Sequence, residues 1–444
     1  MRQRGQRLPA PLRLVLGLLG LVTVGTVALM LPGMATRPLA WNEALFTATS
    51  ALSVTGLSII VPGTELTWVG QLVLLALIQI GGVGFMVVAV IIFRLLGRTI
   101  SLTDRLALTD SFGLLAPRAI LQLTQRVLIT VVLIEGCGAL LLWLHWLPLL
   151  GERAAFYAVF HAVSAFCNAG FELFTGLPGF ADGLPEDGVT LTILAGLIVS
   201  GGLGIPVLGE LVVYHRERRM SLHTRLTLVA VAVLLAIGTA GFAIGETRAG
   251  GVLAGLPPAE QLGLAAFHAV SARTAGFAAV PGFDQLTPAT VLLMALLMFI
   301  GCAPASMGGG ITTGTFVVLM LALWTYTRRM PSINVGGRSL AVGTVRKAAA
   351  VLTTSLLAVV LATWLLLVSH PQASLAEALF EVVSAFATCG LSLSFTGDLN
   401  LFGQAVIMLM MFWGRLGALT LVVAIAQPHA SQRVSYPEEQ ILIG

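Results

Sequence analysis

The sequence predicts an all-α polytopic membrane protein built from four parallel repeats, each a span, a short half-helix and a second span. Three observations carry this prediction: the composition, the recurrence of four similar short segments, and the placement of basic residues in alternate loops. Of the 444 residues, 57% are hydrophobic and only 10% are charged, whereas soluble globular proteins carry about 25% charged residues. The chain therefore has little sequence left for a soluble domain.

Apolar runs long enough to cross a bilayer predict eight transmembrane helices, since about 20 apolar residues span the hydrocarbon core. Runs of ordinary length lie at 12–31, 127–150, 189–213, 224–244, 348–369 and 401–426, and two longer or interrupted runs lie at 68–96 and 288–329. The predicted repeats are 1–98, 99–223, 224–340 and 341–444. With two spans in each repeat, all four repeats share one orientation, which favours a pore over a carrier built from inverted repeats.

Most of the 24 lysines and arginines fall in alternate loops. Basic loops remain in the cytoplasm, so both termini are predicted to be cytoplasmic and the chain to be a multi-pass protein of the cell (plasma) inner membrane. The opposite loops are assigned only Arg37, Arg153, Arg248 and Arg273. Acidic residues concentrate on that opposite side, either as a plain solvated face or as a vestibule that attracts cations.

Each repeat contains a short segment that ends in a glycine-bearing tetrad. The segments cover 42–53, 154–166, 261–271 and 374–386, and the tetrads cover 54–57, 168–171, 274–277 and 388–391. Twelve helical residues reach about 18 Å, roughly half of the hydrocarbon core. The segments are therefore predicted to be half-helices of re-entrant loops, where irregular backbone is tolerated only if protein buries it or water lines it.

The tetrads predict a cation filter around a pseudo-fourfold pore, because glycine allows successive carbonyls to face one axis. The half-helix C-termini add partial negative charge, and the absence of a carboxylate within any tetrad argues against a calcium-type ring. Tripeptides of this kind are common in membrane proteins, but four copies in register are not. The candidate ion-binding residues are Val54, Thr55, Gly56, Asn168, Ala169, Gly170, Thr274, Ala275, Gly276, Thr388, Cys389 and Gly390.

The apolar run 288–329 would form a helix of about 63 Å, twice the thickness of the core. Pro304 and three consecutive glycines predict a break and a loop at 301–315, either a mobile gate or a static kink. Arg415 lies inside the last span and should face water or a partner, either the gate or an acid such as Glu135 or Glu210. The candidate gate residues are Gly301, Ala303, Ser306, Gly308, Gly309, Gly310, Thr312, Thr313 and Arg415.

Other polar residues receive plainer interpretations. The four cysteines are expected to be buried free thiols. Two histidines and an acid, His161, His268 and Glu381, could suggest a metal site, but copies in separate repeats would lie on different walls. They are therefore expected to cap or pack the half-helices. Glycine pairs in the second spans, such as Gly81-Gly82, are expected to allow close helix packing. No catalytic constellation or nucleotide-binding fingerprint is present, so neither an enzyme nor an organic cofactor is expected.

With NAGF in the second repeat and TAGF in the third, the plan resembles the Trk/Ktr/HKT superfamily of potassium transporters over essentially the whole chain. The chain begins at its first span, so it is more similar to the membrane subunits of Ktr potassium uptake systems than to the longer Trk proteins. The resemblance implies that the tetrad glycines form the selectivity filter and that the loop gates the cytoplasmic side. Gly56 stands where many sodium-selective plant relatives have serine, which implies K⁺; a sodium-selective or sodium-coupled transporter is the alternative, and Na⁺ as an activator stays open.

The resemblance also implies partners. It predicts a homodimer and a cytosolic ring of nucleotide-binding regulatory subunits that docks on the basic cytoplasmic face. The same basic residues could instead anchor the chain to anionic lipid. Membrane lipids are expected contacts in either case, and nucleic acid is not an expected partner.

Overall fold

The computed structural model describes residues 10–84, 117–180 and 183–417, and most of these residues are helical. In chain order, the helices are α1 Ala10–Met30, α2 Trp41–Ser53, α3 Pro62–Glu65, α4 Trp68–Val83, α5 Pro117–Leu150, α6 Ala154–Phe166, α7 Gly188–Gly202, α8 Ile205–Glu217, α9 Leu222–Glu246, α10 Pro258–Ser271, α11 Pro288–Ile300, α12 Thr313–Thr327, α13 Val342–Ser369, α14 Leu375–Ala387 and α15 Leu401–Leu416. A small antiparallel hairpin, β1 Asn334–Val335 and β2 Arg338–Ser339, lies between α12 and α13.

Contacts between helices of successive repeats form a closed circle. In each predicted repeat the first long helix packs on the short helix that follows: α1 on α2, α5 on α6, α9 on α10 and α13 on α14. The next apolar helix then contacts the short helix of the following repeat: α4 on α6, α7 on α10, α11 on α14 and α15 on α2. The four short helices, called half-helices below, therefore lie inside a closed circle of contacts.

Three described helical stretches are long and apolar enough to cross a membrane: Leu128–Phe166, Leu222–Glu246 and Val342–Ser369. The pair Gly188–Gly202 and Pro206–Tyr214, bent by 109°, makes a fourth if it is counted as one span. The other apolar helices in the described ranges have 10–17 residues. The predicted runs 68–96 and 401–426 extend beyond the described residues. Both termini and the arginine-containing segment 94–105 lie outside them.

The apolar run 189–213, predicted from its length as one span, is bent in the structure. Helix α7 ends at Gly202, and α8 begins at Ile205 after a sharp bend. Gly204 adopts φ 85°, a left-handed conformation that suits glycine, and Pro206 lies in the first turn of α8, where it can start a helix but not continue one. Helices α4 and α15 also end directly before a glycine of positive φ, Gly84 (φ 81°) and Gly417 (φ 80°), respectively.

The half-helices supply much of the buried core. Each places a phenylalanine one turn before a buried serine, and these rings are almost fully shielded: Phe46, Phe160, Phe267 and Phe380. The long helices instead expose apolar side chains such as Leu133 and Val360, as expected of surfaces that face lipid. Cys137 lies on the exposed face of α5, so only Cys167, Cys302 and Cys389 are buried free thiols. The prediction that all four cysteines are buried is wrong for Cys137.

Candidate functional site

The four tetrads begin with a residue in the left-handed region of the backbone. These residues are Val54 (φ 58°), Asn168 (φ 58°), Thr274 (φ 70°) and Thr388 (φ 51°). Three of them are β-branched, and such residues adopt this conformation only when the surroundings enforce it, at about 1–3 kcal/mol each. In each tetrad the second residue has negative φ and the glycine has positive φ again. Strain concentrated at four equivalent positions is typical of a functional site.

The four tetrad glycines, Gly56, Gly170, Gly276 and Gly390, meet one another in a closed ring, called the glycine ring below. A Cβ atom added to Gly56 would lie 2.9 Å from the Cα atom of Gly170, and the corresponding distance is 3.1 Å from Gly170 to Gly276, from Gly276 to Gly390 and from Gly390 back to Gly56. In every case the nearest atom is a backbone carbonyl oxygen from the next tetrad. The ring has no room for a side chain at any of the four glycines.

A buried serine in each half-helix fixes the tetrad that follows. The carbonyls of Ser50, Ser164 and Ser384 accept the amide hydrogen of the second tetrad residue, at 2.7–2.8 Å. The hydroxyls of Ser50 and Ser384 accept the amide hydrogens of Gly56 and Gly390, each at 3.0 Å. The hydroxyls of Ser164 and Ser271 instead donate to the carbonyls of Phe171 and Phe277. These bonds satisfy backbone groups that the end of a helix leaves open.

His161, His268 and Glu381 hold the chain beyond the tetrads. Each histidine places Nδ1 at the carbonyl of the residue one turn earlier, and its Nε2 accepts the amide hydrogen of Leu173 or Ala279. Glu381 accepts hydrogen bonds from the hydroxyls of Ser392 and Thr396, at 2.7 and 2.6 Å. Within the described ranges, no group of three or more His, Cys, Asp or Glu residues could hold a metal ion.

The interruption between α11 and α12 forms a loop of residues 301–312, called the central loop below, that lies against the tetrads. A Cβ atom at Gly309 would lie 2.7 Å from Thr388 Oγ1, and one at Gly308 would collide with the Thr274 hydroxyl. The amide of Ala303 donates to the carbonyl of Gly202 at 3.0 Å, so α7 also supports the loop. The loop therefore covers the side of the glycine ring at which the half-helices end.

Arg415 joins the middle of the central loop to the first repeat. Its Nη1 donates to the carbonyl of Met307, and its Nη2 donates to the carbonyls of Gly81 and Gly82. The alternative pairing with an acid is not what the structure shows, since Glu135 pairs with Gln79 at 3.0 Å and Glu210 accepts the amide hydrogen of Ser221. The charged guanidinium of Arg415 thus donates only to backbone carbonyls, in the central loop and at the end of α4, among the described residues.

Arg273 is the functional candidate that the sequence interpretation missed. Assigned to an outer loop by charge counting, it is 5% exposed and lies directly before the third tetrad. Its Nη2 donates to the carbonyl of Gly301 at 2.9 Å and to the hydroxyl of Thr313 at 2.8 Å. A signal existed in the spacing: Gly276 follows Ser271 by five positions, whereas Gly56 follows Ser50 by six, so the third repeat ends its half-helix differently.

The glycines of the second helices explain how closely the half-helices are held. A Cβ atom at Gly81, Gly201 or Gly414 would collide with the carbonyl oxygen of Leu52, Phe166 or Phe386, respectively. Each of these carbonyls belongs to the last turn of the half-helix in the same repeat. Packing, the interpretation given to the first two glycine pairs, is the role that these contacts describe.

Comparison with known proteins decides the family. The model of the TrkH family, described as a cation transport protein, matches residues 20–435. The chain belongs to the TrkH family. Its members are ion transporters and not enzymes, and the match agrees with a multi-pass membrane protein.

Individual relatives align along almost the whole chain of this TrkH family member. The Ktr system potassium uptake protein B of Bacillus subtilis is 36% identical, with 99% of this chain and 97% of the relative covered. The protein of the same name from Vibrio alginolyticus is 34% identical, covering 98% and 95%. The potassium/sodium uptake protein NtpJ of Enterococcus hirae is 32% identical, covering 100% and 99%. The chain thus lies in the Trk/Ktr superfamily, close to the B proteins of Ktr systems.

A solved structure shares the fold. The crystal structure of the potassium transporter TrkH from Vibrio parahaemolyticus superposes with a TM-score of 0.75, at 19% identity, and covers 96% of this chain and 87% of that one. At this identity the likeness concerns the fold alone.

Proposed function

We propose that this protein translocates K⁺ across the membrane through a filter formed by the four tetrads, as the pore subunit of a Ktr-type uptake system. The observation that carries this function is the closed glycine ring, in which each glycine meets a carbonyl oxygen of the next tetrad. Rings of backbone carbonyls can replace the hydration shell of a monovalent cation. Relatives named potassium uptake protein B support K⁺ as the ion.

The chemistry of the tetrads agrees with a cation. No acidic side chain occurs within them, so backbone carbonyls supply the negative ends of dipoles, and the half-helix C-termini add to that field. The Thr388 hydroxyl is buried and has no hydrogen-bond partner among the described residues, which leaves it available to an ion or its water at the entrance covered by the central loop.

The remaining parts of the proposal concern architecture and partners. The four repeats at 1–98, 99–223, 224–340 and 341–444 surround one pseudo-fourfold pore with eight spans, and both termini lie in the cytoplasm. The Ktr relatives are named as parts of a system, which supports a separate regulatory component. We expect a homodimer with a cytosolic nucleotide-binding ring on the basic face, where the described side chains are exposed: Arg218, Arg219, Arg328, Arg329, Arg338, Arg346 and Lys347.

Replacement of Gly56 by serine tests the filter. The new Cβ would collide with the Ala169 carbonyl oxygen, and we expect the ratio of Rb⁺ to Na⁺ flux in proteoliposomes to fall by about tenfold, the effect of roughly 1.4 kcal/mol on one ion. Gly250→Ser is the matched control, because Gly250 has the same φ of 92° but no atom within 4 Å of an added Cβ. An unchanged ratio in Gly56→Ser would contradict the filter.

The second candidate is a sodium-selective or sodium-coupled transporter of the same superfamily. The relative named potassium/sodium uptake protein NtpJ favours it. Flux of Rb⁺ and Na⁺ through the unmodified protein separates the two: K⁺ selectivity predicts Rb⁺ flux without added Na⁺, whereas coupling predicts Rb⁺ flux that requires Na⁺.

Deletion of residues 303–310 tests whether the central loop is a gate. The loop ends lie side by side, since a Cβ atom at Gly301 would stand 3.0 Å from the Cα atom of Gly310, so the deletion can close without pulling α11 and α12 apart. We expect Rb⁺ flux that no longer depends on the regulatory subunit. Flux that still requires the regulatory subunit would contradict a gate.

A further inference from the structure

We propose that Arg273 is a positioning residue that fastens the ends of the central loop to the third tetrad, so that the closed loop and the ordered filter support each other. This inference rests on the proposed function, because it concerns the regulation of the same pore. Nothing in the charge pattern or in the comparisons assigns a role to Arg273.

The guanidinium closes the neck of the central loop, formed by Gly301, Cys302 and Thr313. Nη2 of Arg273 binds the Gly301 carbonyl and the Thr313 hydroxyl, and that hydroxyl also donates to the Gly301 carbonyl at 3.2 Å. The amide of Thr313 donates to the Cys302 carbonyl at 2.8 Å. The two ends of the loop therefore lie next to each other, as in an Ω-loop. Arg273 binds both ends.

The same residue is covalently part of the filter. Arg273 immediately precedes Thr274, the left-handed first residue of the third tetrad. The Cys302 thiol donates to the carbonyl of Arg273 at 3.0 Å and lies 3.1 Å from the Thr274 hydroxyl. Side chain and backbone of Arg273 thus contact the neck from opposite ends, and any movement of the neck would be transmitted to the backbone of the third tetrad.

The charge of Arg273 makes an incidental contact implausible. A buried guanidinium is costly unless its donors are satisfied, and no carboxylate within the described ranges forms an ion pair with it. Its Nη1 has no protein partner there. Arg273 also lines, with Gly202 and Cys302, a cavity of about 10 Å³, a volume that admits one water molecule. A neutral residue would avoid this cost, and the two contacts of Nη2 are what the buried charge provides at this position.

Arg273 and Arg415 act at different places on the central loop. Arg415 binds Met307 in the middle of the loop and the end of α4 in the first repeat, whereas Arg273 binds the neck and continues into a tetrad. Loss of Arg415 should therefore loosen the loop alone. Loss of Arg273 should loosen the loop and also disturb ion discrimination at the third tetrad.

The experiment measures Rb⁺ and Na⁺ flux through the full chain in proteoliposomes, without a regulatory subunit. We expect Arg273→Gln and Thr313→Val to raise the Rb⁺ leak and to lower the Rb⁺ to Na⁺ ratio, each by about tenfold, the effect of losing a charge-assisted hydrogen bond. Arg415→Gln should raise the leak and preserve the ratio. Thr327→Val is the control, because Thr327 lies at the other end of α12, where its hydroxyl donates to the carbonyl of Trp324, and it should change neither quantity.

Several outcomes would overturn the proposal. One is a folded Arg273→Gln protein with the leak and ratio of the unmodified chain; another is an equal loss of Rb⁺ and Na⁺ flux at constant ratio, which is what a purely structural role would give. If Arg273→Gln does not fold, Thr313→Val decides alone, since it removes one acceptor and leaves the buried charge in place. An unmodified chain that conducts neither ion would instead reject the proposed function, and this inference with it.

Discussion

The central loop contacts the tetrads that carry the glycine ring, yet the loop and the ring are built in opposite ways. The ring takes one equivalent backbone segment from each repeat, and its contacts are between glycines and carbonyls. The loop comes from the third repeat alone, and two arginine side chains hold it. In the function proposed above, repetition supplies the filter, whereas the departures from repetition supply the gate. Substitutions in the two regions should accordingly alter different measured quantities.

The largest effect should follow from breaking the ring itself. Gly276→Ala places a methyl group against the carbonyl oxygen of Cys389, at a residue whose φ is 77°. The left-handed conformation alone costs alanine about 1–2 kcal/mol, and the collision adds to it. We expect Rb⁺ flux to fall by roughly 100-fold, measured in proteoliposomes. Gly250→Ala has the same backbone cost without the collision, so a comparable loss in that variant would show that the ring is not the cause.

The next effect separates the loop from the ring. Arg415→Gln removes charged hydrogen bonds to the carbonyls of Met307 and Gly82, each worth about 1.5–3 kcal/mol. We expect Rb⁺ flux without the regulatory subunit to rise by about tenfold while the Rb⁺ to Na⁺ ratio stays constant. Arg328→Gln, an exposed arginine at the end of α12, serves as the control. A fall in the ratio after Arg415→Gln would erase the distinction between the two regions.

A smaller effect tests how equal the four walls of the ring are. Ser384→Ala removes the hydroxyl that accepts the amide hydrogen of Gly390, at a cost of about 1 kcal/mol. We expect a fall of about fivefold in the Rb⁺ to Na⁺ ratio. Ser164→Ala should change the ratio less, because that hydroxyl bonds the carbonyl of Phe171 and not a ring glycine. Equal effects would mean that the hydroxyls act through general packing.

The smallest effect lies far from both regions. Arg37 binds Glu43 and Glu65 at the start of α2 and lowers the pKa of Glu43. Stabilisation by Glu43 is therefore present above its ordinary pKa and is lost as pH falls through the lowered value. Arg37→Gln should lower Tm by no more than about 2 °C at neutral pH, because exposed ion pairs contribute little, and the difference should vanish in acid. A change in ion discrimination would contradict the assignment.

The bounds of the four short helices lie close to those of the short segments read from the sequence, because a glycine-bearing tetrad directly follows each segment. The predicted segment 154–166 coincides with Ala154–Phe166, and the other three differ by no more than three residues at either end. Arg273 escaped because charge counting treats each arginine as a marker of a soluble loop. The bend at Gly204 escaped because hydropathy is blind to backbone handedness. The positive φ of Val54 and Thr388 belongs to the C-caps of α2 and α14, where glycine is the usual residue, so local propensity did not indicate it.

The four residues that begin the tetrads are alike in backbone conformation. Val54 is apolar, whereas Asn168, Thr274 and Thr388 are polar, but all four adopt a backbone conformation with positive φ. They form one residue class defined by handedness. Ranking substitutions at these positions by side-chain similarity would therefore mislead: asparagine, which tolerates this conformation well, should be accepted at Val54 more readily than isoleucine.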